Sequence, residues 1–402
     1  MHLLYPIASP NARVCAFFHK GDCRDSRVLT NLHLRYNLST SMIGERIRAA
    51  RKAQGLSLRA LAERVGLSHE MIHRYEQGKA TPDGATLIKI ADALERNLDY
   101  FFRPALLGEI KPAFRLKRKL PARQRAAILA QVQDWLERYL LIESILGLET
   151  RFEFPEGFPH PVRQMEDVEE AAVVLRNAWQ MGLDPIANLT ELLEERGLRV
   201  GILSGFESFD GCAFEVEISS QRQPVLVYAE GCPGDRQRFS TAHELGHLMF
   251  RVESDLDEEK VANRFAGAFL APKPSVFREI AELGNLLTLS ELMRLKQKYG
   301  MSMQAWIHRL RELQLISKES ASCVFKLFRE RGWLKTEPGT PYPAESPRRF
   351  LSLVLAAYEE EVITTSRASA LLNLSYHEFL SRYAYLHGGT AVALHRRHKR
   401  LD

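Results

Sequence analysis

Apolar residues recur three and four positions apart along most of this chain, and only a short middle stretch alternates residue by residue; the two periods mark out the elements. Between Ile43 and Phe102 the spacing predicts five short helices. Ile47, Ala50 and Ala53 line the first, and Leu58, Leu61, Ala62 and Val65 the second. Gly66 turns the chain, and Ser68 caps a third helix that buries Ile72 and Tyr75 before Gly78 ends it. Thr81, Pro82 and Asp83 open a fourth, with Leu87, Ile90, Ala91 and Leu94 inward, and a fifth runs toward Tyr100, Phe101 and Phe102. After Pro121 a long helix carries a wide stripe, from Ile128 through Val132, Trp135, Leu136, Tyr139 and Ile142, to Gly147. Such a stripe pairs with a second copy of itself or packs on its own chain.

Phe152, Phe154, Phe158 and three prolines between Arg151 and Pro161 mark a boundary. Helices follow over Glu166 to Met181 and from Pro185 to Gly197. Strands are predicted at Leu198 to Leu203, Gly211 to Ile218 and Val225 to Ala229, with the third expected to be the sheet edge that could hold an extended peptide. Two further helices span Asp235 to Arg251 and Asp257 to Leu270. Others cover Ser290 to Tyr299 and Ser302 to Leu313, and a helical region of unassigned task runs from Leu351 to Tyr385. The fold class is mainly α (α+β). The expected divisions are an extension at 1–41, a helical domain at 42–104, a basic linker with the long helix at 105–160, an α+β domain at 161–318 and a helical region at 319–402.

The helix from Asp235 to Arg251 holds His243, Glu244, Leu245, Gly246 and His247. Residues four apart are offset by about 40° around a helix axis, so the two imidazoles point the same way and can share one metal ion. Zn²⁺ suits them, and Glu244 stands beside the open position as a proton acceptor for water. A catalytic zinc needs a third protein ligand. On the next helix Glu259, Ala262, Asn263 and Ala266 share a face whose small residues permit close approach. This makes Glu259 the third ligand, with Glu258 the alternative if the helix phase slips by one, and Asn263 the group that orients a ligand histidine. Arg236, Arg238 and Tyr228 are candidates for an oxyanion partner, or equally for ordinary core or surface roles. Cys232, in the preceding loop, is a possible modulator of the metal or an ordinary thiol, and His308 is expected to be structural.

The segments GDRQRFSTAHELGHLMF and EKVANRFAGAFLAP resemble the ImmA/IrrE family of zinc metallopeptidase-like proteins. The resemblance implies a zincin-like domain, His243, His247 and Glu259 as ligands of one Zn²⁺, Glu244 as catalytic base, and a regulatory protein as the target of cleavage. Ala271 stands where that family often has Met. The segment LSLRALAERVGLSHEMIHRYEQGKATP resembles the Xre/Cro repressors. Two short helices about a glycine turn, with a polar face on the second, can lay that second helix in the major groove. The likeness implies a DNA-facing set of Ser68, His69, Glu70, His73 and Arg74, with Gln54, Ser57 and Lys79 toward the backbone of operator DNA. Fusions of this kind are associated with mobile elements and toxin–antitoxin modules, so a toxin or regulatory partner and a homodimer are expected. The rival expectation is a repressor or antitoxin whose metal domain binds or senses without cutting.

Composition adds limits. The chain has 402 residues, 45% of them hydrophobic, and a formal charge of +5, which permits nucleic-acid contact. Its five cysteines lie nowhere in C-x-x-C spacing, which argues against a disulfide framework and for a reducing, cytoplasmic setting. No apolar run approaches the roughly 20 residues that span a bilayer. The first 41 residues lack periodicity, and translation is expected to start at Met42. Lys111 to Arg125 and the terminal run His395 to Arg400 are basic enough to brush phosphates.

Overall fold

A computed structural model of the chain describes residues 40–102, 111–112, 121–206, 209, 211–218, 221–253, 255–283 and 287–383. Residues 1–39 of the extension expected at 1–41, most of the basic linker and the terminal run lie outside the described residues. Among those described, no helix is long and apolar enough to cross a membrane.

The first unit consists of α1 (Thr40–Ala53), α2 (Leu58–Val65), α3 (His69–Glu76), α4 (Gly84–Ala93) and α5 (Asp99–Phe102). Each turn carries its own cap: Ser57, Ser68 and Asp83 accept from the backbone N–H of Ala60, Met71 and Thr86. Gly66 joins α2 to α3 at φ 71°, a left-handed conformation that glycine adopts without steric cost. Ile47, Leu61, Ile72, Ile90 and Leu94 are completely buried between the helices. At Gly44 a β-carbon would lie 2.1 Å from the carbonyl oxygen of Tyr75, so glycine lets α1 lie directly on α3.

The sheet comprises β1 (Lys111–Pro112), β3 (Arg199–Leu203), β4 (Gly211–Ile218) and β5 (Gln221–Ala229), in the order β1-β4-β5-β3. β4 and β5 form an antiparallel hairpin pairing Gly211 with Tyr228 and Ile218 with Gln221, whereas β3 runs parallel to β5. A second sheet pairs β2 (His160–Val162) with β6 (Phe250–Val252). β5, the strand expected at the edge, is instead interior, with β3 and β4 on its two sides. A pattern of alternation shows which faces of a strand are buried and is silent about its neighbours. Because both faces are covered, β5 reads as a nearly continuous buried run from Gln223 to Ala229.

The sheet divides two cores. On one face Ala213, Leu226 and Tyr228 share a continuous core with α7 (Met165–Ala178), α8 (Leu189–Glu195), α9 (Gly234–Met249), α10 (Glu258–Leu270), α12 (Leu289–Tyr299), α13 (Met303–Glu312) and α14 (Lys318–Glu330). Short α11 (Lys273–Leu283) follows α10. On the other face Cys212, Phe214, Val225 and Val227 meet the long helix α6 (Ala122–Ile145), α15 (Arg349–Glu359), α16 (Thr365–Leu372) and α17 (Tyr376–Tyr383). The stripe of α6 is therefore consumed within its own chain. Gly201 on β3 shows how closely: a β-carbon there would lie 2.9 Å from the Trp135 ring.

The helical unit docks on α6 through buried charge. Arg46 of α1 pairs with Glu137, and Arg96 lies 3.5 Å from Asp134, which also meets Arg138 at 3.3 Å. Leaving any of these ions without its partner would be costly in so dry a place.

Candidate metal centre and nucleic-acid interface

α9 begins at Gly234 and ends where the chain turns extended at Phe250, and Leu245 and Met249 anchor its apolar side completely. α10 opens on an N-cap in which Asp257 accepts from the Glu259 N–H. Val261, Phe265 and Phe269 fill the core behind it. The two helices touch where their side chains are smallest. A β-carbon on Gly246 would lie 2.9 Å from Phe265 and 3.2 Å from the Cα of Ala262. The glycine costs helix propensity, and in return the two backbones approach closely enough for their polar faces to share a point.

At that point the Nε2 atoms of His243 and His247 lie 3.1 Å apart, and the Glu259 carboxylate lies 3.3 Å from the first and 3.6 Å from the second. One ligand atom from each residue falls within 4.8 Å of the others. Asn263 Oδ1 stands 3.1 Å from Nδ1 of His243, where it holds the ring with Nε2 turned toward the other donors. Glu258 instead lines a cavity of about 240 Å³ behind His247, beside Gly246, Phe250 and Val261. Burial, with the neighbouring His243 adding to it and Glu259 opposing, pushes His247 down to about 4. The imidazole thus keeps its lone pair available at neutral pH. Two imidazoles, His247 buried and His243 half-buried, converge with one exposed carboxylate in a donor set that fits a transition-metal dication.

Glu244 is half-buried beside this cluster, and its Oε2 accepts a 3.0 Å hydrogen bond from the backbone N–H of Ala213 on β4. Nothing in the local sequence announces that contact, because it joins residues that only the tertiary fold brings together. It places β4 alongside the helix of the two histidines, which β5 also touches. The far part of the β4 edge is covered by β1, Lys111 opposite Glu215 and Pro112 opposite Phe214.

Two of the candidate oxyanion donors are spent elsewhere. Arg238 is fully buried, paired with Glu345 and donating to the Ile186 carbonyl, while the Tyr228 hydroxyl donates to the Glu345 carbonyl. Burial thus selects the core role for both. Glu345, hidden in a proline-rich loop, also accepts from the Leu189 and Thr190 N–H groups and so ties that loop to the start of α8. Arg236 is exposed and lines a groove of about 690 Å³ together with Phe239, Ser240, Asn263, His308 and Lys335. His308 also lies against Phe325 and is pushed down by burial and by Arg311. Cys232 is half-buried and is absent from the metal cluster.

In the helical unit, Ser57, Ser68, His69, Glu70, His73, Arg74 and Lys79 are all exposed. Ser57 and Ser68 serve as caps, and His73 shares a 2.9 Å hydrogen bond with Gln77. Gln54 is half-buried and donates to the Leu94 carbonyl at 2.8 Å, so part of its amide holds the end of α4. Behind α3, Glu76 is gripped by Arg51 at 2.5 and 2.8 Å. The result is a polar helix face held outward by a rigid base.

Residues 47–101 match the helix-turn-helix family model, and residues 194–311 match that of the IrrE N-terminal-like domain. The chain thus carries an Xre-like helix-turn-helix domain and an ImmA/IrrE-like domain, as the two motif resemblances implied. An uncharacterized HTH-type transcriptional regulator of Rickettsia prowazekii is 42% identical over 62 residues, 15% of this chain and 48% of that protein. An uncharacterized transcriptional regulator in the ATPase CF(0) region of Rhodospirillum rubrum is 40% identical over 67 residues, 17% of this chain and 62% of that protein. Repressor protein C2 of Salmonella phage P22 is 35% identical over 66 residues, 16% of this chain and 31% of that protein. The chain spans about half the length of the first two curated relatives it matches.

Proposed function

We propose that this protein is a DNA-binding transcription regulator whose second domain is a zinc-dependent peptidase acting on a regulatory protein, a copy of itself included. The observation that carries the reading is the convergence of His243, His247 and Glu259 beside a carboxylate, Glu244, that hangs from the backbone of an adjacent strand. Those three residues would hold the ion, which when bound supplies Lewis acidity toward a carbonyl and lowers the pKa of water. Glu244 accepts the proton from the attacking water and returns it to the leaving amine, its position set by the Ala213 N–H. An extended peptide adds to the β4 edge near Gly211 and Ala213, and the groove beside Asn263 receives its side chains. Cleavage of the chain itself is supported by β1, the piece of the linker that already lies along β4.

On the DNA side, α3 enters the major groove with His69, Glu70, His73 and Arg74 toward base edges and phosphates, while Ser57, Ser68, Lys79 and the remaining polar capacity of Gln54 face the backbone. Paired copies meet a twofold operator through a surface other than the α6 stripe, which is already covered. The rival reading, a regulator that only captures a partner or toxin at the metal domain, is favoured by one observation: Arg238 and Tyr228 are unavailable as oxyanion donors.

One assay separates the two readings. Wild type and Glu244→Gln are incubated with Zn²⁺ or Mn²⁺, alone and with the protein encoded beside it. Cleavage by wild type that falls at least about a hundredfold in the variant, with metal content unchanged, supports hydrolysis. Intact protein in both, with operator binding retained, selects the rival.

A further inference from the structure

The C-terminal helices repeat the build of the DNA reader. α16 and α17 have 8 residues each, as do α2 and α3. Thr364 caps α16 through the Arg367 N–H at 3.2 Å, as Ser57 caps α2 through Ala60 at 3.1 Å. Asn373 then takes the left-handed conformation, φ 54°, in the place of Gly66. Asn373 N–H reaches the Ala370 carbonyl at 3.3 Å and Leu374 N–H reaches Ser369 at 2.9 Å; in the reader, Gly66 reaches Glu63 at 3.3 Å and Leu67 reaches Ala62 at 2.9 Å. Ser375 caps α17 through Glu378 N–H at 3.2 Å, matching Ser68 and Met71. Ala368 and Phe379 are completely buried where the reader buries Leu61 and Ile72. Local hydrogen bonding of this kind sets the angle between two helices, so the second pair presents α17 as the first presents α3.

The outward face of α17 is also chemically suited. Tyr376 and His377 stand exposed in its first turn, at the positions of His69 and Glu70, with Ser381 and Arg382 exposed in its last. Tyr376 is 54% exposed, the largest value among the large apolar and aromatic side chains of the described residues. Packing alone gives no reason to hold an aromatic ring out in water at the head of a capped helix. The helix's one acid, Glu378, accepts from the Ser375 N–H, which together with the nearby Arg382 and His377 holds its carboxyl below the usual carboxylate range. The unit adjoins the reader: Arg96 and Asn97 reach Asn373 Oδ1 and the Leu374 carbonyl, each at 3.4 Å, and Arg138 donates to the Leu371 carbonyl at 2.6 Å. The turn at Asn373 is thus held against the connection between α4 and α5, with α6 beside it.

We propose that α16–α17 is a second DNA-reading helix-turn-helix, with Tyr376, His377, Ser381 and Arg382 meeting duplex DNA beyond the segment contacted by α3. The proposal rests on the DNA-reading role of α3, and its test keeps the two apart. The full chain selects its preferred duplexes from a random-sequence pool, and the winner serves as probe for footprinting and for affinity measured across salt. Tyr376→Ala/His377→Ala/Arg382→Ala should shorten the protected stretch and weaken binding about tenfold, and Arg382→Ala alone should lower the salt slope by about one. Arg74→Ala is measured in parallel. Loss with Arg74→Ala beside an unchanged footprint in the triple variant overturns the proposal and leaves the role of α3 standing. Loss in the triple variant alone upholds α17 and overturns the role of α3. A photoreactive phenylalanine analogue at position 376 gives a readout independent of folding losses: a cross-link to the duplex supports the proposal. A cross-link only to a second copy of the chain, or none, overturns it.

Discussion

Two helix pairs hold the candidate sites of this protein, and they use the space between helices in opposite ways. α9 and α10 are pressed together over Gly246 and Ala262 so that polar side chains from both converge on one point. α2 and α3 are set at an angle by a left-handed Gly66 and two serine caps so that polar side chains of one helix stay apart and exposed. A metal centre needs convergence, and convergence depends on contacts between residues distant in sequence. A major-groove reader needs a rigid, outward face, and hydrogen bonds spanning three or four residues provide it. The first site should therefore break from a distance and the second only locally.

Gly246→Val tests this most severely. The added atoms would overlap Phe265 and the Ala262 backbone, so about 3 kcal/mol of stability should be lost together with metal binding, while the helix-turn-helix unit still binds DNA. Thermal melting, metal analysis and gel shift on one preparation would decide, and retention of metal would show that the helix pair is not set by close approach.

A second expectation concerns pH. Glu194 caps α15 by accepting from Arg348 and Arg349 N–H, yet burial outweighs those bonds and pushes its carboxyl up to about 7. The folded state then holds a proton that the unfolded chain has released, so stability falls as pH rises from about 4.5 to about 7, by up to roughly 3 kcal/mol. In the reader the sign is reversed. The Thr86 N–H holds the exposed Asp83 below the usual carboxylate range, so its contribution is present above that range and is lost as pH falls through its lowered pKa. Melting curves of wild type and Glu194→Gln over this interval should differ in slope; parallel curves would show that the carboxyl is charged throughout.

Asn263→Ala should weaken metal affinity about 10- to 100-fold without unfolding the chain, since it removes only the partner of His243 Nδ1. A competitive chelator titration reads this directly, and unchanged affinity would mean that the ring is held by packing alone. The smallest effect is expected at Ser68→Ala, about 1 kcal/mol lost from the first turn of α3, with hydrogen exchange speeding up there and the metal centre untouched.

Much of the candidate metal centre's geometry was legible in the sequence, because His243, His247, Glu259 and Asn263 lie on two helices whose phase is set by Leu245, Phe265 and Phe269. Once the apolar stripe is assigned, the opposite face follows from 3.6 residues per turn. The Glu244 to Ala213 bond had no such signal, nor did the burial of Arg238 and Tyr228 around Glu345. The second helix pair was legible in principle: Thr364, Asn373 and Ser375 repeat the spacing of Ser57, Gly66 and Ser68, with Asn standing in for the glycine that draws the eye.

Period and capping are local properties, so the chain alone determined which segments are helices, where they start and which side chains share a face. Which strands lie beside α9, whether the α6 stripe meets a second copy or its own sheet, and which arginines are buried as struts were decided only in three dimensions. Those outcomes depend on what packs against each face, and neighbours brought together by folding leave no mark on the spacing of residues along the chain.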